Sequence, residues 1–260
     1  MLPSIHHLFS LSGKTAVVVG GGGVLAGEMA MGFAGAGARV VVADLNLAQA
    51  EARAEAIRAA GGQALAVACD ATVKSALEEA RRRAVAEFGG VDILLNAAGV
   101  NSGTPFLEIT ETEWQQLLDI NLCSVFLACQ VFGGLMVQAG KGGAIINISS
   151  ASSGPPLSKV FTYGVAKAGV NQITQFLARE WAPFRVRVNA LLPGFFPAAQ
   201  NRKLLTPERT AQILNHTPMG RFGDARELVA AAIFLASENA ASFVTGAILR
   251  VDGGFGAMTI

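Results

Sequence analysis

Charge is scarce in this chain. Only 15% of its 260 residues are Asp, Glu, Lys or Arg, against roughly a quarter in an average soluble domain. The signs nearly balance, at a net +1, which leaves no field for holding a polyanion or a strongly charged protein. The one dense basic run, Arg81-Arg82-Arg83, falls in a helical stretch without interleaved aromatics. It reads as a solvated helix face and not as a nucleic-acid site. Cysteine is rare too. Cys69, Cys123 and Cys129 form no Cys-x-x-Cys pair, which argues against a disulfide framework or structural zinc and for a reducing, cytoplasmic setting. No metal site is expected. No run of about 18 apolar residues, the length that spans a bilayer, is free of glycine and charge. Met1 to Ser12 lacks the basic start and long apolar core of a secretory signal and reads as a short arm. A chain that is 52% hydrophobic yet shows neither feature points to apolar surface covered by other subunits.

What the chain does have is a regular alternation. Thr15–Val19, Val40–Ala43, Ala64–Ala68, Val91–Leu95, Ala144–Ile148, Val186–Leu191 and Ala247–Val251 are predicted strands, nearly continuous in hydrophobicity as strands buried on both faces must be. Between them Leu25–Gly35, Leu47–Ala60, Ser75–Phe88, Glu113–Val137, Thr162–Trp181 and Arg226–Ala236 are predicted helices. Such alternation implies right-handed crossovers and one α/β domain, a parallel sheet with helices on both faces. Pro193 to Met219 is the least regular segment, with four prolines and a Phe-Phe pair. Irregular insertions at strand ends are commonly lids, and a substrate lid is expected at about 194–219.

The turn between the first strand and first helix reads Gly20-Gly21-Gly22-Gly23-Val24-Leu25. Glycine there permits a tight turn and lets backbone N–H groups approach a pyrophosphate at a helix N-terminus. Asp44 ends the second strand, 24 positions after Gly20, where a carboxylate can accept both ribose hydroxyls of an adenosine and repel a 2′-phosphate. That favours NAD(H) over NADP(H). The plainer role for Asp44 is an N-cap for the next helix, which Asn46 can also supply. Asp70, with Ala71 after it, follows the third strand and can meet the adenine or cap the helix that starts near Ser75. Asn96-Ala97-Ala98-Gly99 follows the fourth strand, small enough for a cofactor to lie against its backbone.

The chain has one tyrosine, Tyr163, and Lys167 lies four positions later, one helical turn away on the same face. A phenol, with an ordinary pKa of about 10, is a poor proton carrier at neutral pH. An adjacent ammonium and the positive ring of an oxidised nicotinamide favour the phenolate, which lets Tyr163 protonate a carbonyl or deprotonate an alcohol. Ser150, 13 positions earlier, can hydrogen-bond the same oxygen, with Ser149 and Ser152 as neighbours able to take that role. Asn121 interrupts a helical stretch where asparagine is a poor helix former. Its amide either holds a water that links Lys167 to solvent or is an ordinary polar group on an exposed turn.

Together these residues resemble the short-chain dehydrogenase/reductase family. Asn96-Ala97-Ala98-Gly99, Asn121, Ile148-Ser149-Ser150, Tyr163-Gly164-Val165-Ala166-Lys167, Asn189-Ala190-Leu191-Leu192-Pro193-Gly194 and Val251-Asp252-Gly253-Gly254 stand in the family's order and spacing over essentially the whole chain. The resemblance implies a Rossmann-fold sheet of seven parallel strands in order 3-2-1-4-5-6-7, and a small-molecule substrate. It implies a catalytic tetrad of Asn121, Ser150, Tyr163 and Lys167, with Lys167 on the nicotinamide ribose, and a homotetramer. The implied NAD(H) contacts are Gly20, Gly22, Gly23, Val24, Leu25, Asp44, Asp70, Ala71, Asn96, Ala97, Ala98, Gly99, Tyr163, Lys167, Pro193, Gly194 and Phe196. Two departures stand out. The family's glycine turn usually reads Thr-Gly-x-x-x-Gly-x-Gly, where this chain has Val19, Gly20, Val24 and Ala26, and no threonine follows Pro193-Gly194. Those departures, with Gln200 to Leu205 and His216 to Gly223, resemble members described as D-mannonate (fructuronate) oxidoreductases. Asn201, Arg202 and Lys203 on the expected lid either bind a substrate carboxylate, Arg202 in bidentate fashion, or form a solvated face. Ser152 is a further candidate substrate contact. A 3-oxoacyl-thioester reductase and a non-catalytic NAD-binding regulatory protein remain as alternatives. The first is disfavoured by Asp44 and the lack of a basic surface, the second by the complete tetrad.

Overall fold

The computed structural model describes residues 4–197 and 205–258. Its centre is a seven-stranded sheet: β1 (Thr15–Val19), β2 (Arg39–Asp44), β3 (Gln63–Ala68), β4 (Ile93–Asn96), β5 (Gly143–Ile148), β6 (Val186–Pro193) and β7 (Ile248–Val251). The order is β3-β2-β1-β4-β5-β6-β7 and every pairing is parallel. The sequence-based expectation for the sheet holds, with strand ends shifted by one or two residues.

The helices are α1 (Ile5–Leu8), α2 (Val24–Gly35), α3 (Leu47–Ala59), α4 (Lys74–Phe88), α5 (Glu111–Ala139), α6 (Phe161–Trp181), α7 (Pro207–Asn215), α8 (Val229–Ala236) and α9 (Glu238–Ala241). Alternate residues of β1 point to opposite faces, which is why a continuous apolar run is required. Ala16 and Val18 pack with Met29 and Phe33 of α2, and with Ala54 and Ile57 of α3. Val17 and Val19 pack with Leu77 of α4, Phe132 and Met136 of α5, and Val170 of α6. Burying each large apolar side chain stabilises the fold by roughly 1.5–3 kcal/mol before entropy is counted.

Two expectations need correction. The expected helix Glu113–Val137 is longer, and it is interrupted by two five-residue π turns, Asp119–Cys123 and Cys129–Gly133. By length and composition α5 could span a bilayer, but half of its most apolar window is buried inside the domain, on β4, β5 and α6. The segment after β6 is also less irregular than expected. Thr206 accepts a hydrogen bond from the Arg209 N–H at 3.2 Å and Pro207 occupies the first turn. This N-terminal signature starts a nine-residue helix, α7.

Candidate active site

Functional residues gather where the strand order reverses, between β1 and β4, at the C-terminal edge of the sheet. The register aligns Val19 with Ala43 on one side and with Asn96 on the other, so the segments after these strands emerge together. They wall a cleft of about 420 Å³.

At one end Gly20 has φ +77°, and a Cβ there would lie 2.7 Å from the Ala98 nitrogen. The glycine is required both by the backbone and by the close passage of the 97–99 segment. Gly22 is closed in by Gln49 and Asp44 and stands behind the cleft wall, while Gly20, Gly23, Val24 and Leu25 line it. Gly23 is the N-cap of α2 and supplies no capping side chain. The first-turn N–H groups of α2 therefore face the cleft as donors for an anion. Asp44 also lines it. Its Oδ2 accepts from the Gly22 N–H at 2.9 Å and its Oδ1 from the Asn46 N–H at 2.9 Å. The helix cap is Asn46, whose Oδ1 accepts from the Gln49 N–H, so the capping role for Asp44 is ruled out by geometry. Asp70 does not cap a helix either. Its Oδ1 receives the Thr72 N–H at 2.9 Å and the Thr72 hydroxyl at 2.7 Å, and α4 begins at Lys74 behind Val73. Ala71, Ala97, Ala98, Gly99, Pro193, Gly194 and Phe196 line the cleft as well.

Asn96 does not. It is 3% exposed, and its Nδ2 donates to Asn147 Oδ1 at 2.9 Å, inside the sheet. Asn147 in turn donates to Thr174 Oγ1 at 2.9 Å. The expected cofactor contact at Asn96 is therefore a core hydrogen bond that ties β4 to β5 and α6.

At the other end stand Ser150, just past β5, and Tyr163 and Lys167, on α6. Ser150 Oγ accepts from the Ser152 N–H at 3.2 Å and the Ser152 hydroxyl at 3.0 Å. Its own proton is left for Tyr163, and that hydrogen bond favours the phenolate. Ser152, a candidate substrate contact, lines the cleft but spends its hydroxyl proton on Ser150. Ser149 is buried and donates to the Lys167 carbonyl at 3.5 Å. Lys167 is 3% exposed, with Nζ 5.5 Å from the centre of the Tyr163 ring. Nζ donates to the Ile148 carbonyl at 2.8 Å.

The electrostatics differ from the sequence-based expectation. Burial raises the Tyr163 phenol above its ordinary value, and only the Ser150 hydrogen bond opposes this. Burial also pushes the Lys167 ammonium down to about 8, and among the described residues no carboxylate pairs with it to oppose this. The cation meant to acidify the phenol is itself weakened by the same dry surroundings.

Asn121 sits in the first π turn of α5 and is fully buried. Its Nδ2 donates to the Val100 carbonyl at 3.0 Å and the Leu117 carbonyl at 2.9 Å, and its Oδ1 accepts from the Val100 N–H at 3.1 Å. Both amide hydrogens are thus committed to backbone, and one lone pair of Oδ1 is left; the burial overturns the alternative of a polar group on an exposed turn. Asn121 instead clamps the strand exit beside Gly99.

Asn201, Arg202 and Lys203 lie outside the described residues. Arg209, which the sequence reading passed over, lines the cleft from α7. Its Nη1 donates to Ser158 Oγ at 2.9 Å and its Nη2 to the Ser158 carbonyl at 2.8 Å. The readable signal was the Thr206-Pro207 helix start, which fixes Arg209 at the third helical position.

A family model described as enoyl-(acyl carrier protein) reductase matches residues 23–256. The uncharacterized oxidoreductase UxuB of Bacillus subtilis is 38% identical, with 98% of both chains covered. The 2-dehydro-3-deoxy-D-gluconate 5-dehydrogenase of Escherichia coli is 37% identical over 96% of this chain and 98% of that one. The chain belongs to the short-chain dehydrogenase/reductase family. It is an oxidoreductase of the kind that acts on CH–OH groups. Among solved structures, a gluconate 5-dehydrogenase from Burkholderia cenocepacia, in complex with NADP and tartrate, superposes with a TM-score of 0.94 at 32% identity, covering 98% of this chain and all of the other. In this short-chain dehydrogenase/reductase the uncapped α2 terminus, the Gly20 cradle and the small 97–99 wall are the features a dinucleotide requires. The residues present fit one, despite the unusual glycine turn.

Proposed function

We propose that this short-chain dehydrogenase/reductase interconverts a secondary alcohol and a ketone on a sugar acid or polyol, with NAD(H). D-mannonate and D-fructuronate are the first pair to test, on the sequence resemblance of the glycine turn and lid. The observation that carries the reading is the meeting of Tyr163, Ser150 and Lys167 on one wall of a cleft whose far end offers a glycine cradle and Asp44. The dehydrogenases of gluconate and dehydro-deoxy-gluconate among its relatives support the substrate class.

When bound, the nicotinamide supplies or takes the hydride; the chain's own residues handle the proton. In the reducing direction Tyr163 gives its phenolic proton to the substrate oxygen, and the one Ser150 proton turns from Tyr163 to that oxygen as negative charge develops. Ser152, by donating twice to Ser150, fixes the direction in which the Ser150 proton points. Lys167 lies beside the Tyr163 ring, charged below about pH 8, and stabilises the phenolate left behind. Asn121 holds Val100, and with it the backbone past Gly99, against which the reacting ring would rest. Asp44 supports NAD(H) over NADP(H): its carboxylate faces the cleft, and the next residue, Leu45, brings no positive charge for a 2′-phosphate.

We also place the enzyme in the cytoplasm, on its three free cysteines, and read it as a homotetramer. Phe126 of α5, Phe176 of α6 and the fully exposed Phe243 are the apolar surface that packing between subunits would cover.

NADH oxidation, followed by absorbance against D-fructuronate, other keto-sugar acids, neutral ketoses and a 3-oxoacyl thioester, tests the reading. Turnover of a keto-sugar acid or ketose with a preference for NADH is expected. Turnover of the thioester alone would replace this function with fatty-acyl chemistry. Tight NADH binding without turnover of any ketone would make the protein a nucleotide-binding regulator.

A further inference from the structure

Among the described residues, four charged side chains line the cleft: Asp44, Asp70, Lys167 and Arg209. The two carboxylates follow β2 and β3 and belong to the nucleotide end. Lys167 is buried against the Ile148 carbonyl beside the Tyr163 ring, which leaves its charge behind the proton carrier and not in front of it. Arg209 remains. It reaches in from α7, and its partner Ser158 stands eight residues after Ser150 and five before Tyr163, on the segment that joins the two. The guanidinium is therefore at the reacting end of the cleft.

The state of that guanidinium is informative. Outside the cleft, Arg53, Arg58, Arg82, Arg221 and Arg226 have a carboxylate partner, while Arg39, Arg185 and Arg187 donate to backbone carbonyls. Among the described residues Arg209 has neutral partners only, a hydroxyl and a carbonyl on one residue, and it alone of the arginines lines the cleft. An arginine carries five N–H donors in a planar fork. One hydrogen on each terminal nitrogen is spent on Ser158, which leaves Nε–H and the second hydrogen of each terminal nitrogen. Those free donors can receive a carboxylate in bidentate fashion without releasing Ser158. Partial burial strips water from the group, so an anion placed there is screened less than on an open surface.

We propose that Arg209 is the cationic site that receives the substrate's carboxylate, and that through Ser158 it couples acid binding to the position of the Ser150–Tyr163 segment. The inference rests on the sugar-acid reading above and names the residue that makes the substrate an acid. It also assigns α7 two tasks: covering the cleft and reading charge.

Binding to the enzyme–NADH complex, measured by quenching or enhancement of NADH fluorescence, tests it with D-gluconate and with sorbitol, a neutral chain of the same length. Wild type is expected to prefer gluconate. In Arg209→Gln the gluconate-to-sorbitol preference should fall roughly tenfold to a hundredfold, the size expected for losing a charge-assisted bidentate contact. Arg209→Lys, which keeps the charge but not the fork, should retain part of it. Ser158→Ala removes the hydroxyl half of the link between Arg209 and the Ser150–Tyr163 segment and should weaken gluconate severalfold with sorbitol little changed; equal weakening of both would overturn the coupling. NADH affinity, read in the same titration, reports that each variant is folded. Wild type without a preference for gluconate would sink the sugar-acid reading itself. A wild-type preference that survives unchanged in Arg209→Gln would leave that reading standing and overturn the assignment of Arg209, as would an equal loss of both ligands.

Discussion

Replacing Lys167 by methionine should abolish turnover and yet make the protein more stable at neutral pH. The lysine is 3% exposed and donates to the Ile148 carbonyl at 2.8 Å, and among the described residues no carboxylate compensates its charge. A fall in pKa from 10.5 to about 8 is a cost to the folded state of about 3 kcal/mol while the lysine is charged. Methionine fills a similar volume without charge but leaves the Ile148 carbonyl short of one donor, at a cost of about 1 kcal/mol. The net gain is about 2 kcal/mol, or about 4–8 °C in melting temperature for a chain of this size. The sign follows from proton counts. Below pH 8 the lysine is protonated in both states, and the folded protein bears the full penalty. Between 8 and 10.5 the folded lysine is neutral while the unfolded one still holds its proton, so wild-type stability rises with pH relative to the variant. Above 10.5 the penalty is gone. Urea denaturation of both proteins from pH 6 to 11 (roughly the range that brackets the window) measures the difference. Parallel stability profiles across that window, or a variant less stable than wild type at pH 7, would refute the reasoning.

Tyr163→Phe should lower kcat roughly a hundredfold to ten-thousandfold with NADH affinity nearly intact in a fluorescence titration; a loss under tenfold would mean that another group carries the proton. Asp44→Ala should weaken NADH by about tenfold, the worth of one or two hydrogen bonds, and raise the relative use of NADPH in steady-state kinetics; an unchanged coenzyme ratio would undo the ribose assignment. Asn121→Ala strands the Val100 N–H and carbonyl and the Leu117 carbonyl, and should cost about 2–4 kcal/mol by chemical denaturation. A loss below about 1 kcal/mol would show that water replaces the amide there.

The sheet was legible in the sequence because a strand buried on both faces has little choice of composition. Val17, Val18, Val41 and Val42 are each fully buried, as strands covered by helices on both faces require. The tyrosine–lysine spacing was legible because helical geometry turns an offset of four into shared placement. Asn96 was misread because it ends β4 instead of following it, and one residue of register moves a side chain from the cleft into the core. Asn121 was placed in the right helix, but its bonds to Val100 could not be read there, since that backbone is far away in sequence. Arg209 went unnoticed because four prolines obscured a short helix whose capping threonine was nevertheless present. For Asn121 the missing information was a long-range contact, which periodicity does not contain; for Arg209 it was a local cap.

The π turn at Asp119–Cys123 amounts to one surplus residue in an otherwise regular helix. Deleting a residue there would leave a tidier α5 that retains its hydrogen-bond ladder, but everything before the deletion would swing by about 100° around the axis. Glu113 would leave the Ser102 hydroxyl it now meets at 2.5 Å, and Trp114 would leave the Phe161 ring whose centre lies 6.1 Å away. The flank of the cleft is thus encoded in an irregularity of winding, and a more ideal helix would make a poorer enzyme.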